Sequence, residues 1–163
     1  MKATLIIEGK EIEIEISEEQ YKKLQPSKTG YERVPEGDYF YYESGIGHAE
    51  SSIDEYCYID DKYYELANYY SDKTVAENNA RADKLLRQLR RFAVQHRERG
   101  VNLNDTNTAK FYIYYDNELE SGSVFGAKFF GAICFDSKET TQAAIDKFHD
   151  ELIWYFTEYK DSL

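Results

Sequence analysis

Several residue types that would announce chemistry are scarce in this sequence. Its 163 residues include two cysteines, two prolines, one methionine, one tryptophan and three histidines. No apolar run approaches the roughly 18 residues that cross a membrane. The opening Met1-Lys2-Ala3-Thr4-Leu5-Ile6-Ile7-Glu8 lacks the apolar core of a secretory signal, so a cytoplasmic protein is expected. Cys57 and Cys134 are each flanked by aromatic or β-branched residues, which predicts small, buried, reduced thiols in strands.

The shortage extends to catalytic and ligand-binding motifs. Nucleophilic catalysis pairs a Ser or Cys with a base, and only His48, His96 and His149 could supply an imidazole. His96 and His149 fall in helical stretches and read as surface or boundary residues. His48 sits in Gly45-Ile46-Gly47-His48, upstream of Cys57, Asp60 and Asp61, which could surround a metal. Their spacing matches no zinc signature, and Asp116-Asn117-Glu118 lacks the glycine and terminal glutamate of a calcium loop. The Gly45 to Gly47 run has neither the Lys-Ser/Thr of a phosphate loop nor the third glycine of a dinucleotide fingerprint. The expectation is a protein that is not an enzyme and uses no metal or cofactor.

What the chain has in quantity is tyrosine and acid. Sixteen tyrosines and nine phenylalanines make it far too aromatic for a disordered chain, and the net charge is −11. Such a field repels phosphate before contact and favours basic partners. Between Glu36 and Glu65 nine acids face only Lys62, a net of −8, among seven tyrosines. Between Arg81 and Arg99 seven bases face two acids, a net of +5. One reading pairs the arginine face internally with the acids, or leaves it solvated. A second puts arginines on phosphates with tyrosines stacking bases. A third is a protein interface, because tyrosine and arginine are enriched at binding hot spots and acids steer docking onto a basic groove.

Periodicity predicts an α+β fold in a single domain. Leu5, Ile7, Ile12, Ile14 and Ile16 alternate with polar residues on both sides of Glu8-Gly9-Lys10, the pattern of a hairpin with one buried face. Ser17-Glu18-Glu19-Gln20 offers a capping box for a short helix ending near Leu24. Residues 1–30 are thus an N-terminal hairpin, short helix and connector, and residues 31–163 the main domain.

Within that domain two ββα units are expected, 31–100 and 108–163, as an internal duplication. The first has strands at Tyr39 to Tyr42 and from Tyr63-Tyr64 to Tyr69-Tyr70, then a helix from about Ser71 burying Val75, Ala82, Leu85, Leu86, Leu89, Phe92 and Ala93 and stopping at Gly100. The second has a strand at Phe111 to Tyr115, a loop from Asp116 to Gly122, a strand at Phe129 to Phe135, and a helix from about Ser137 burying Ile145, Phe148, Leu152, Phe156 and Tyr159. Ala67 to Lys73 lies over Ala132 to Lys138, each leading into a helix through small polar capping residues.

The run from Tyr63 through Ser71-Asp72-Lys73-Thr74-Val75-Ala76-Glu77 and Leu85 to Ala93, followed by Lys110 to Tyr115 and Gly131 to Ser137, resembles small acidic proteins of phages and prophages of Gram-positive bacteria. The resemblance covers about residues 31–160. That group includes anti-CRISPR proteins, so it implies a non-enzymatic inhibitor acting in the bacterial host cytoplasm on a host protein such as a CRISPR effector nuclease. The proposed contacts are Tyr41, Glu43, Asp54, Glu55, Tyr58, Asp60 and Asp61, with Arg87 and Arg91 as an alternative basic patch. Direct nucleic-acid binding through the arginine helix and a structural or assembly role are the competing expectations. Homodimerisation stays open.

Overall fold

The first hairpin forms as its alternation dictates. In the computed structural model, which describes residues 2–7, 10–20, 28–98, 101–126 and 132–159, β1 (Lys2–Ile7) pairs antiparallel with β2 (Lys10–Glu15), Leu5 opposite Ile12. The buried face expected of Leu5, Ile7, Ile12 and Ile14 lies outside the described side chains, whereas Ile16 is buried and Glu13 and Glu15 are exposed. The capping box is present: the Ser17 amide donates to Gln20 Oε1 at 2.9 Å and the Gln20 amide to Ser17 Oγ at 3.2 Å. The expected helix end at Leu24 lies outside the described residues.

The next hairpin departs from expectation. β3 (Tyr39–Glu43) pairs antiparallel with β4 (Ala49–Ile53), a polar segment that sequence alone leaves as loop. The second strand expected from Tyr63-Tyr64 to Tyr69-Tyr70 does not form; its first residues close a helix, α1 (Tyr58–Glu65). Two forces override the strand propensity of Tyr and Ile there. Asp60 folds back to accept the Glu55 and Cys57 amides, which closes the first turn, and Tyr63 packs on Phe40 and Tyr42 at ring distances of 5.9 and 4.7 Å. Of the expected strand only Tyr70 remains, exchanging both backbone hydrogen bonds with Tyr41 at 2.8 Å.

The long helix α2 (Lys73–Gln95) starts where Asp72 accepts the Thr74 and Val75 amides. Its inner stripe is Ala76, Ala80, Ala82, Leu85, Leu89, Phe92 and Ala93, the expected face with Val75 and Leu86 only half-buried. It ends at Gln95, and the expected stop at Gly100 lies outside the described residues.

β5 (Lys110–Asp116) turns at Asn117, whose φ of +63° suits an asparagine, into β6 (Glu118–Val124). The segment expected as a loop is therefore a strand. Its glycine has a packing reason, because a Cβ on Gly122 would sit 2.6 Å from Tyr112 Cζ. Of the strand expected at Phe129 to Phe135, residues 129–131 lie outside the described residues. Phe135 alone bridges Phe111, and Ala132 to Cys134 are not strand.

α3 (Lys138–Trp154) is capped by the Ser137 hydroxyl, breaks locally at Phe148 and continues as a π-helical turn, Tyr155–Tyr159. Ile145 and Leu152 are buried as expected, whereas Phe148, Phe156 and Tyr159 are half-buried. The main core gathers Leu85, Leu89, Phe92, Phe135, Ala144 and Leu152, with Phe111 and Ile113 against it. A smaller core stacks Phe40 on Tyr69, rings 4.3 Å apart and 7° from parallel, beside Val34. The whole is α+β, and among the described residues no helix is long and apolar enough to cross a membrane.

Candidate protein-binding face

The acidic stretch is organised around one cation. Arg33 Nε donates to Asp54 Oδ2 at 2.9 Å and Nη2 to Asp54 Oδ1 at 3.1 Å, while Nη1 reaches Asp61 Oδ1 at 2.5 Å. Tyr69 donates its hydroxyl proton to Asp54 Oδ2 at 2.7 Å and accepts the Val34 amide at 3.1 Å. The Tyr56 amide donates to Asp54 Oδ1 at 2.8 Å. The Asp54 carboxylate is thereby fully satisfied although it is 0% exposed. The Arg33 guanidinium, with help from Tyr69 and the Tyr56 amide, outweighs burial and holds Asp54 at about 2. In return Tyr69, buried beside a carboxylate, is pushed above the ordinary phenol range.

This network sets the chain entering α1. Tyr56 sits at φ +50°, a conformation that costs a non-glycine residue about 1 kcal/mol. It is held there by its amide bond to Asp54, by Arg33 stacked 4.4 Å from its ring, and by its hydroxyl donating to the Val34 carbonyl at 3.2 Å. Asp60, only 4% exposed, closes the next turn.

The structure therefore separates the contacts expected from sequence. Asp54 and Asp60 are internal and present no outward charge, which corrects their expected role: one is bound by Arg33 and Tyr69, the other is the helix cap. Glu43 is half-buried and ion-paired to Arg87, so it and one half of the alternative basic patch neutralise each other. Burial dominates at Glu43 and raises its pKa despite Arg87, with Asp83 beside it adding to the rise. Asp61 is exposed but bound to Arg33, and Tyr41 is half-buried. Glu55, Tyr58 and Arg91 are exposed. Cys57, expected in a buried strand, is exposed at the start of α1, and burial raises the half-buried Cys134 thiol.

The accessible surface is more apolar than the sequence suggests. Tyr58 is 74% and Ile59 62% exposed on α1, and Tyr39 (60%) and Ile53 (43%) stand opposite each other on β3 and β4. Tyr39, Ile53, Glu55, Cys57 and Ile59 line one groove beside β4. Glu36, Asp38 and Glu55, all exposed, have no ion-pair partner among the described residues. Sequence reasoning missed Arg33, Tyr39, Ile53 and Ile59. Arg33 had a signal, as a lone arginine just ahead of nine acids. The others had none, since exposure of an apolar residue is set by what fails to pack on it.

On the basic side, Arg81 makes a two-pronged bond to Glu151, 2.8 and 3.1 Å, and lies 3.9 Å from the Trp154 ring, fastening α2 to α3. Lys84, Arg87 and Arg91 line a shallow groove with the Gly45 to Gly47 turn. His48 pairs with Glu50 at 3.3 Å, and among the described residues no group of three or more His, Cys, Asp and Glu is placed to hold a metal.

No protein-family model matches the chain, and neither a curated protein nor a solved structure matches it.

Proposed function

We propose that this chain is a non-catalytic inhibitor that docks the α1–β4 face onto a basic surface of a host nucleic-acid enzyme, a CRISPR effector nuclease being the type of target the phage resemblance implies. One observation carries the reading. Four large side chains, Tyr39, Ile53, Tyr58 and Ile59, stand in solvent beside Glu36, Asp38 and Glu55, which have no cation partner among the described residues. Aromatic and aliphatic side chains beside an acidic rim are the composition that both holds a partner and steers its approach. A rigid floor supports it, since Asp54, Asp60 and Arg33 fix the turn from which Glu55 and Tyr58 project.

The direct test replaces Glu36, Asp38 and Glu55 with lysine and Tyr58 with alanine, leaving Asp54 and Asp60 intact because they hold the fold. In a nuclease inhibition assay the combined variant should be at least about tenfold weaker, as loss of one hot spot and reversal of a rim remove more than about 1.4 kcal/mol. Full inhibition by that variant would dismiss the face.

A second reading is favoured by the cations Lys84, Arg90, Arg91 and Arg97, which have no ion-pair partner among the described residues. It is direct nucleic-acid binding along α2, and the net charge of −11 opposes it. A shift of DNA or RNA by the protein alone at low salt, abolished by Arg91→Glu, would select it.

We further infer that the two halves of the main domain are copies of one ββα unit. In each, a hairpin's first strand is bridged by the residue two places before a helix N-cap: Tyr41 by Tyr70 before Asp72, and Phe111 by Phe135 before Ser137.

A further inference from the structure

Strand β4 has one edge that nothing described covers, and the hydrogen-bond parity of its sheet shows which groups lie along it. Tyr41 spends both its amide and its carbonyl on Tyr70, so neither points at Ser51, its partner in register. The bonded pairs of the hairpin are therefore the even positions of β3, Phe40 with Ser52 and Tyr42 with Glu50. The flanking bonds agree, since the Asp54 amide donates to the Asp38 carbonyl at 3.0 Å and the Ser44 amide to the His48 carbonyl at 2.8 Å. Ala49, Ser51 and Ile53 consequently direct their amides and carbonyls away from β3, at an edge whose residues from Glu50 to Ile53 are all exposed. The opposite edge of the sheet is closed by Tyr70.

We propose that this edge is completed by an extended, lysine- or arginine-bearing segment of the partner protein, pairing with Ala49, Ser51 and Ile53 as an added strand. The inference rests on the docking face proposed above and names its mode of engagement. Main-chain pairing gives such recognition its affinity, and neighbouring pockets select alternate side chains. Here the groove beside the edge offers Tyr39, Ile53 and Ile59 to apolar side chains, and Glu55 with nearby Asp38 and Glu36 to basic ones. The charge also argues against a second copy of this chain, because two such edges would bring rims of the same sign together.

Proline at position 51 isolates the claim. It removes the outward amide of Ser51 while leaving every β3–β4 bond in place, and an edge strand tolerates proline at such a site. The probe is an end-blocked peptide of alternating lysine and valine, followed by amide NMR and hydrogen exchange on the full chain. The expected result is perturbation and slowed exchange of the Ala49, Ser51 and Ile53 amides, with peptide binding at least about tenfold weaker in Ser51→Pro. Exchange protection in the unmodified protein tests the pairing even if the proline variant is unstable. Peptide binding that perturbs α1 but leaves those three amides unprotected overturns strand addition. So does protection of the same amides by raising protein concentration alone, which assigns the edge to a second copy. Failure of the two proposals is separable: loss of inhibition on reversing Glu36, Asp38 and Glu55, with full inhibition by Ser51→Pro, leaves the face and removes the added strand.

Discussion

Asp54 shows how far residue type and residue role can diverge. Its carboxyl, held at about 2 in the folded chain against an ordinary 3.8, binds its proton less readily folded than unfolded. Its contribution to stability is thus complete above about pH 4 and is lost as pH falls toward about 2. Glu32 behaves likewise, held at about 2 against 4.5 mainly by the Thr29 amide and hydroxyl. Melting temperature should therefore fall steeply between about pH 4.5 and pH 2. Asp54→Asn should flatten that dependence and cost about 3 kcal/mol at neutral pH, because Arg33 loses its two-pronged partner inside the fold. Thermal melts across pH for both proteins check it. Phe40→Ala, at a ring with 0% exposure stacked on Tyr69, should cost about 3–5 kcal/mol in a urea titration. Sequence alone placed Asp54 and Asp60 on an outer face because it supplies charge but not direction: for Asp54 direction depends on Arg33 and Tyr69, 21 and 15 residues away, and for Asp60 on a turn that brings the Glu55 and Cys57 amides to its carboxylate.

At the scale of elements, what was legible depended on whether the signal was local. The helix caps at Asp72 and Ser137, the capping box at Ser17 and the apolar stripe of α2 are set by neighbours within four residues, and sequence places each of them. β4 and β6 carry no such signal. Their serines and glycine resemble loop, and they are strands because Tyr39 to Glu43 and Lys110 to Asp116 lie opposite them. The run from Tyr63-Tyr64 to Tyr69-Tyr70 misleads in the other sense, its tyrosines suggesting a strand while its first residues close a helix that Asp60 begins. Two measurements probe these elements. Ser137→Ala, losing the hydroxyl that accepts the Thr140 amide at 3.1 Å, should destabilise by about 1 kcal/mol in denaturant titration. Gly122→Ala should cost about 1–3 kcal/mol, since the added methyl meets the Tyr112 ring, and near-ultraviolet circular dichroism should register the displaced tyrosine.

Across the whole molecule the contrast between an acidic half and a basic helix survives only in part. Arg87 and Glu43 cancel across α2 and β3, and Arg33 answers Asp54 and Asp61 from within the acidic half. Among the described residues, what stays unpaired in those two stretches is Glu36, Asp38 and Glu55 beside the hairpin and Lys84, Arg90, Arg91 and Arg97 on and just after α2. Partner capture through the acidic rim should then weaken with added salt mainly through slower association, with dissociation little changed, as stopped-flow or biosensor traces would show.

The cut expected after residue 30 meets a clasp there. The Gly30 carbonyl accepts the Ser71 amide at 2.8 Å, and Glu32 gathers the Thr29 and Gly30 amides and the Ser71 hydroxyl. Gly30, at φ +86°, lies so close to Val75 that any side chain would collide with it. A shortened protein starting at Tyr31 would enter its first long helix with that latch already removed.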